Sequence, residues 1–289
     1  APMGLFGESL FHARLGAIAL TAGTLAFIYL LAGALRLGRT AGGLAVIVYA
    51  TTRTVYSAGH TAGEETVITF FVTAALYFFA RLIFIGGEGE WRDAALAYAA
   101  TAGALLAAGL GGLPCVVLPL AVFLLIPRRL AEPHRFLFWP VGAVVLAALA
   151  LPWYGLMIAW HREALGQALF PAAEALDLLA ALGDGARSLA VGPLLLLRDT
   201  LPWSLVAVVG LLGCFGAVRR ATAAQRRELL YLAAWVVGIV IVVAFTRMAT
   251  GRRLLPAMPA MALGIGFILS RALEADPRSR PVGVGILLA

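Results

Sequence analysis

Three arginines, Arg247, Arg252 and Arg253, lie within seven residues of one another in the last sixth of the chain. Guanidinium groups match phosphate oxygens in two-point contacts, and Gly251 lets backbone amides approach a ligand closely. The apolar segment that follows predicts a helix whose positive N-terminal end would point at the same place. We therefore predict a phosphate site here. The alternative is that these arginines contact anionic lipid headgroups without specificity.

Two adjacent carboxylates, Glu64 and Glu65, end a polar loop that also contains His60, and they head the apolar run 66–85. Neighbouring serine and threonine hydroxyls are suited to holding a polar ligand. The simpler explanation is that these groups only mark the membrane–water interface, where charge costs little. We take Glu65 and Glu64 as the candidate catalytic residues.

Other kinds of chemistry lack a sequence pattern. The chain has no phosphate-binding loop, dinucleotide fingerprint, nucleophile elbow or metal-ligand cluster. We therefore predict no bound cofactor and assign no residues to a metal site, and metal dependence stays open. Cys115 and Cys214 lie in apolar stretches and form no metal-binding or redox pair. All 22 basic residues are arginines scattered between apolar segments, which argues against a nucleic-acid partner.

The elements that must position these groups are membrane helices. The chain is 62% hydrophobic and 13% charged, with a mean hydropathy of +0.95, whereas soluble domains are about 25% charged. We predict an all-α, polytopic transmembrane bundle, because unpaired backbone amides are not tolerated in lipid. Nine spans are predicted, with the pair joined by Gly111-Gly112 too short to be certain of crossing fully on each leg: 15–35, 41–57, 66–85, 94–110, 113–126, 136–158, 201–218, 229–246 and 254–270.

The distribution of arginine predicts the orientation. Numbering the loops alternately places 14 arginines on one side and 8 on the other, so the first side is predicted to be cytoplasmic. Glu64, Glu65 and the three clustered arginines then face outward. The long connection 159–200 also lies outside. Its spacing of apolar and acidic residues predicts an amphipathic helix in the interface, and the alternative is a plain solvated loop.

The ends of the sequence suggest a partial chain. It starts at Ala1, and it stops within the apolar run 282–289, which is shorter than the roughly 20 residues of a membrane span. We therefore expect residues 1–289 to form a single transmembrane domain that is truncated at both ends.

Several motifs together resemble the glycosyltransferase family 39, which has the GT-C fold and includes aminoarabinose transferases and protein O-mannosyltransferases. The resemblance rests on four pieces in order: Gly7-Glu8-Ser9-Leu10-Phe11-His12-Ala13-Arg14-Leu15, the acid Glu65 before 66–71, the Pro-Trp pairs at 152–153 and 202–203, and Gly251-Arg252-Arg253-Leu254-Leu255-Pro256-Ala257-Met258-Pro259-Ala260. It implies an integral enzyme of the bacterial inner membrane. Such an enzyme transfers a sugar from a polyprenyl-phosphate donor to a lipid, protein or glycan acceptor on the periplasmic face.

The resemblance also implies roles for particular residues. Glu65 stands where members carry a pocket acid, usually Asp, and Arg252 lies in the basic stretch associated with the donor phosphate. Arg253 replaces a common Tyr, and Gly111-Gly112 replace a common Lys-Gly pair. The family's Asp-Glu pair has no counterpart, so the main catalytic acid is expected to lie outside these residues.

Two other classes compete with this interpretation. A transporter or lipid-linked sugar flippase also needs many spans, but it should carry charges near mid-span and paired internal repeats. A structural membrane subunit would give no reason for the outer acid and the outer arginines to converge in space.

Overall fold

A computed structural model describes residues 10–59, 63–87, 89–125, 140–160, 194, 197–206, 223–245 and 251–274. This part of the chain is helical and contains no β-strand, which confirms the all-α prediction. The helices are α1 (Leu10–Ala34), α2 (Arg39–Thr51), α3 (Arg53–Gly59), α4 (Glu64–Phe84), α5 (Glu90–Ala108), α6 (Pro114–Leu125), α7 (Pro140–Trp160), α8 (Ala223–Phe245) and α9 (Met258–Glu274), with 3-10 helices at Gly109–Gly111 and Gly251–Ala257.

Six of the described helical segments are long and apolar enough to cross a membrane. They are α1, α4, α5, α7, α8 and Leu254–Glu274, which joins the end of the second 3-10 helix to α9. The predicted count of nine spans is not confirmed. The hairpin around Gly111-Gly112 has a first leg of 19 residues and a second, α6, of only 12. The predicted span 201–218 lies outside the described residues from 207 onward, as does most of the predicted amphipathic connection 159–200.

One predicted span, 41–57, is two helices in the structure. The Thr51 hydroxyl donates a hydrogen bond to the carbonyl of Ile47 at 2.6 Å, and the Thr52 hydroxyl donates to Val48 at 2.7 Å. Thr52 itself has an extended backbone. This extended residue ends α2, and α3 begins at the next residue, Arg53.

Helix α4 is at the centre of the bundle. It packs against α1 on one side and α5 on another, and the 3-10 helix Gly251–Ala257 also contacts it. Helix α2 packs against α1, and α9 packs against both α2 and α8. Helix α8 also packs against α6. Helix α7 packs mainly on α5 and leaves most of its surface exposed.

Small residues allow the helices to approach closely, as is usual in membrane bundles. A Cβ atom added at Gly266 of α9 would lie 2.5 Å from the carbonyl oxygen of Ala41 in α2. Likewise, a Cβ atom at Gly238 of α8 would lie 2.5 Å from the backbone nitrogen of Pro119 in α6. Both contacts are between backbones, so neither neighbour can move aside as a side chain can.

The bundle has two distinct ends, which are named here after residues of α4. The Glu65 end contains α3 and the start of α4. The Arg81 end contains the last turn of α4, where the Arg81 guanidinium pairs with Asp93 of α5 at 2.9 Å. Residues on either side of the undescribed stretch 207–222 lie at opposite ends, because Trp203 contacts Thr51 and Arg227 lies over Phe84.

Candidate functional site

The first predicted group of site residues lies at the start of α4. Gly63 precedes the helix with an extended backbone and no side-chain cap, and both Glu64 and Glu65 fall in the first turn. Acidic side chains there interact favourably with the helix dipole. Glu64 is exposed, whereas Glu65 is half-buried. Glu65 is therefore the acid that borders the protein interior.

A row of threonines continues inward from Glu65. Thr66, Thr69 and Thr73 are buried on α4. The Thr69 hydroxyl donates to the carbonyl of Glu65 and Thr73 donates to Thr69, both at 2.6 Å. Thr66 instead donates to the carbonyl of Ala58 in α3, at 3.4 Å. The start of α4 is thus joined to the end of α3.

The second predicted group lies on the 3-10 helix Gly251–Ala257. Its last four residues, from Leu254 to Ala257, are buried. The indole N–H of Trp235 on α8 donates a hydrogen bond of 2.9 Å to the carbonyl of Pro256. This bond satisfies a buried acceptor that proline-containing, irregular backbone leaves free. The backbone of Arg252 and Arg253 therefore enters the bundle with a fixed register.

The two groups lie on elements that touch. The 3-10 helix contacts both α4 and α3, and α3 contacts α4. Arg252 and Arg253 belong to the described backbone, but their side chains lie outside the described part of the structure, as do His60 and Arg247 as whole residues. The structure thus brings together the elements that carry Glu65 and Arg252, without describing contacts between the side chains themselves.

A third component of this end was not predicted as part of a site. Residues 197–206 dock onto the junction of α2 and α3, where the Thr54 hydroxyl donates to the backbone carbonyl of Asp199 at 2.9 Å. The indole N–H of Trp203 donates to the Thr51 hydroxyl at 2.8 Å. In the sequence, the Pro-Trp pair at 202–203 contributed to the family resemblance, and no site role was predicted for it. The polar triplet at 198–200, placed between two apolar stretches, is the feature that could have drawn attention to this segment.

Asp199 is buried, with 9% of its surface exposed. Its Oδ1 atom accepts a hydrogen bond from the neighbouring Arg198 Nε at 3.2 Å. Its Oδ2 atom is fully buried and has no hydrogen-bond partner within the part of the chain that the structure describes. Thr200 and Ser204 of the same segment are also buried, as are Thr52 and Thr54 opposite it. The Glu65 end therefore contains a buried polar cluster where residues 197–206 meet α2 and α3.

Metal binding finds no support within the described residues, where no three His, Cys, Asp or Glu side chains are grouped. What this end offers is hydroxyls, carboxylates and the backbone of an arginine-bearing segment that enters the bundle. Carboxylates of this kind can accept hydrogen bonds from the hydroxyl groups of a ligand.

These features define an integral membrane protein of the GT-C class, and comparisons with known proteins agree. The profile of the family described as dolichyl-phosphate-mannose-protein mannosyltransferase matches residues 2–154. The chain belongs to this family. Among curated proteins, no sequence matches it.

Two solved structures share the fold. The crystal structure of ArnT from Cupriavidus metallidurans bound to undecaprenyl phosphate superposes with a TM-score of 0.73 at 22% identity, covering 96% of this chain and 49% of ArnT. ArnT in the apo state gives a TM-score of 0.71 at 21% identity, with 96% and 48% covered. The chain thus spans about half the length of these proteins.

Proposed function

We propose that this chain is part of a membrane glycosyltransferase that moves a sugar from a polyprenyl-phosphate donor to an acceptor. The reaction takes place at the Glu65 end, which we assign to the periplasmic face of a bacterial inner membrane. The family membership and the ArnT fold support the class of reaction. Undecaprenyl phosphate, the ligand bound to that ArnT structure, supports the class of donor.

One observation carries the proposal: the segment with Arg252 and Arg253 enters the bundle and packs against the helix headed by Glu65. Arg252 lies four residues before Pro256, which corresponds to about 8 Å along a 3-10 helix. Pro256 is fixed to the middle of α8 by Trp235. An arginine-bearing backbone that served only as a surface contact for lipid headgroups would not need to be anchored in the interior.

The chemistry needs few groups. Phosphate is already a good leaving group, so sugar transfer needs positive charge where negative charge grows and a base for the acceptor. Arg252, Arg253 and Arg247 hold the donor phosphate, and Glu65, with Glu64 beside it, orients the donor sugar or the acceptor. The polyprenyl tail lies between helices and keeps the anomeric carbon at the Glu65 end. No metal or cofactor takes part in this scheme.

The placement of charge argues against the alternative of a transporter or lipid-linked sugar flippase. In the described helices, every Asp, Glu and Arg lies within six residues of a helix end. Substrate pathways through the membrane usually carry ionisable groups near the middle of spans. A catalytic site at one face of the bilayer requires none there.

Substitution of Arg252 tests the proposal. In the complete protein, Arg252→Ala should reduce sugar transfer from a polyprenyl-phosphate donor by about 100-fold or more, because a donor that stabilises growing charge is lost. Arg271→Ala is a matched control: Arg271 lies on α9 at the opposite end, and its side chain is about half exposed. This control should keep transfer within about twofold of the parent.

The rate should be measured with saturating acceptor and varied donor, together with the fraction of folded protein. Transfer by a well-folded Arg252→Ala protein within twofold of the parent would contradict the phosphate role. Movement of a lipid-linked sugar across vesicles, without any transfer product from the parent protein, would instead support the flippase alternative.

A further inference from the structure

The buried polar cluster formed by Asp199 and its neighbours has no part in the scheme above. Buried polar groups in proteins are usually hydrogen-bonded, so an unsatisfied one calls for an explanation. Asp199 is the only charged member, since Thr52, Thr54, Thr200 and Ser204 carry hydroxyls.

The structural role of this segment does not depend on the Asp199 carboxylate. The hydrogen bond that holds residues 197–206 to α3 is made by the backbone carbonyl of Asp199. The second bond, between Trp203 and Thr51, involves no atom of Asp199. Any residue with a backbone carbonyl at position 199 could make the first bond, so docking alone does not explain an acid there.

The carboxylate is also incompletely satisfied. Among the described residues, its Oδ1 atom is paired with the adjacent Arg198, whose side chain is 64% exposed, and its buried Oδ2 atom has no hydrogen-bond partner. A buried, unpaired carboxylate oxygen costs free energy unless something donates to it. No group among the described residues supplies that donor.

The position of Asp199 relative to the proposed site for the sugar donor limits which group could donate a hydrogen bond to its Oδ2 atom. Thr54, which binds Asp199, and Ala58, which binds Thr66, are four residues apart on α3, or about 6 Å along its axis. Thr66 directly follows Glu65, and α3 also contacts the 3-10 helix with Arg252. One seven-residue helix therefore contacts all three elements of the Glu65 end.

We propose that Asp199 is a substrate-binding residue whose free Oδ2 atom accepts a hydrogen bond from the sugar carried by the donor. The ligand chemistry is an O–H or N–H group of that sugar: a hydroxyl in a neutral sugar, or an ammonium in an amino sugar. This inference rests on the proposed function, and it makes Asp199 a residue that distinguishes one sugar from another.

The test compares binding of three probes to the complete protein: undecaprenyl phosphate without sugar, an undecaprenyl-phosphate donor with a neutral hexose, and one with an amino pentose. The parent protein should bind at least one sugar-bearing probe more tightly than the bare carrier. Asp199→Ala should weaken that binding by about 10- to 100-fold, the usual effect of losing a hydrogen bond to a charged group, while leaving the bare carrier within twofold.

Asp199→Asn distinguishes binding of a neutral sugar from binding of an amino sugar. Asparagine keeps an oxygen acceptor of the same shape, so a hydroxyl should lose only a few-fold in affinity. An ammonium loses its opposite charge and should lose about as much as with alanine. Arg271→Ala serves as the control, because Arg271 lies on α9 at the opposite end of the bundle; this variant should bind both donors within about threefold of the parent.

Each outcome decides the matter. Equal loss for the bare carrier and the sugar-bearing donor would make Asp199 a structural residue and overturn the inference, as would no loss in folded Asp199→Ala protein. If the parent neither transfers sugar nor prefers a sugar-bearing probe, the proposed function itself fails. If the parent transfers sugar and both Asp199 variants bind it normally, only the inference fails.

Discussion

At Gly266, helix α9 meets the backbone of α2, and a single methyl group should separate them. A Cβ atom there would lie 2.5 Å from the Ala41 carbonyl oxygen and 2.7 Å from the Ala45 nitrogen. Ordinary contacts of this type begin at 3.4 Å, so the helices would have to separate by about 0.9 Å. Forced overpacking of this kind typically costs about 1–3 kcal/mol. We expect Gly266→Ala to lower the free energy of unfolding by that amount.

The same helix provides a matched control. Gly264 lies two residues earlier, and a Cβ atom added there meets nothing within 4 Å. Gly264→Ala should be neutral, or stabilising by up to about 1 kcal/mol, because alanine favours helix more than glycine does. Both variants add one methyl group to α9, so they differ only in what that methyl group meets.

Thermal stability of the purified protein in detergent measures the difference. We expect Gly266→Ala to aggregate at a temperature several degrees below the parent and Gly264→Ala at or above the parent temperature. Sugar transfer should also fall in Gly266→Ala, because α9 continues directly from the segment that carries Arg252. Equal stability of the two variants would refute the close backbone packing of α9 on α2.

Two further predictions concern buried partners. Trp235→Phe should lower stability by about 1–3 kcal/mol, since it leaves the buried Pro256 carbonyl without a donor; denaturant titration of the folded protein measures this, and an unchanged midpoint would contradict it. Arg81→Ala should cost about 1–2 kcal/mol because it leaves the mostly buried Asp93 unpaired. Arg271→Ala removes a more exposed pair of 3.7 Å and should cost less than about 0.5 kcal/mol in the same titration.

Helix type and position were predictable where local sequence decides them. The apolar run 66–85 is α4, which begins two residues earlier at Glu64, and the predicted span 94–110 is α5, which begins at Glu90. Here the lengths of the apolar runs and the charged residues at their ends are sufficient. The break at Thr52 was not predicted, because the hydrophobicity of a stretch is an average that does not reveal one extended residue within it.

The candidate site was predictable only in part. Sequence alone pointed to Glu65 and to Arg252, and the structure places their elements in contact. Asp199 was missed because its environment depends on partners such as Thr54, 145 residues away in the chain. In the sequence, Arg198-Asp199 has the polar character of a solvated loop, and only the fold shows that Asp199 is buried.

The anchoring of Pro256 by Trp235 has a consequence for how this family can diversify. A flexible loop that binds a lipid headgroup can adapt to a different headgroup by changing its backbone conformation. In this chain, the hydrogen bond from the Trp235 indole to the Pro256 carbonyl fixes the position of the main chain before α9. New headgroup preferences should then arise by exchanging the residues presented at positions 252 and 253, while Trp235 and Pro256 are retained together or lost together during evolution.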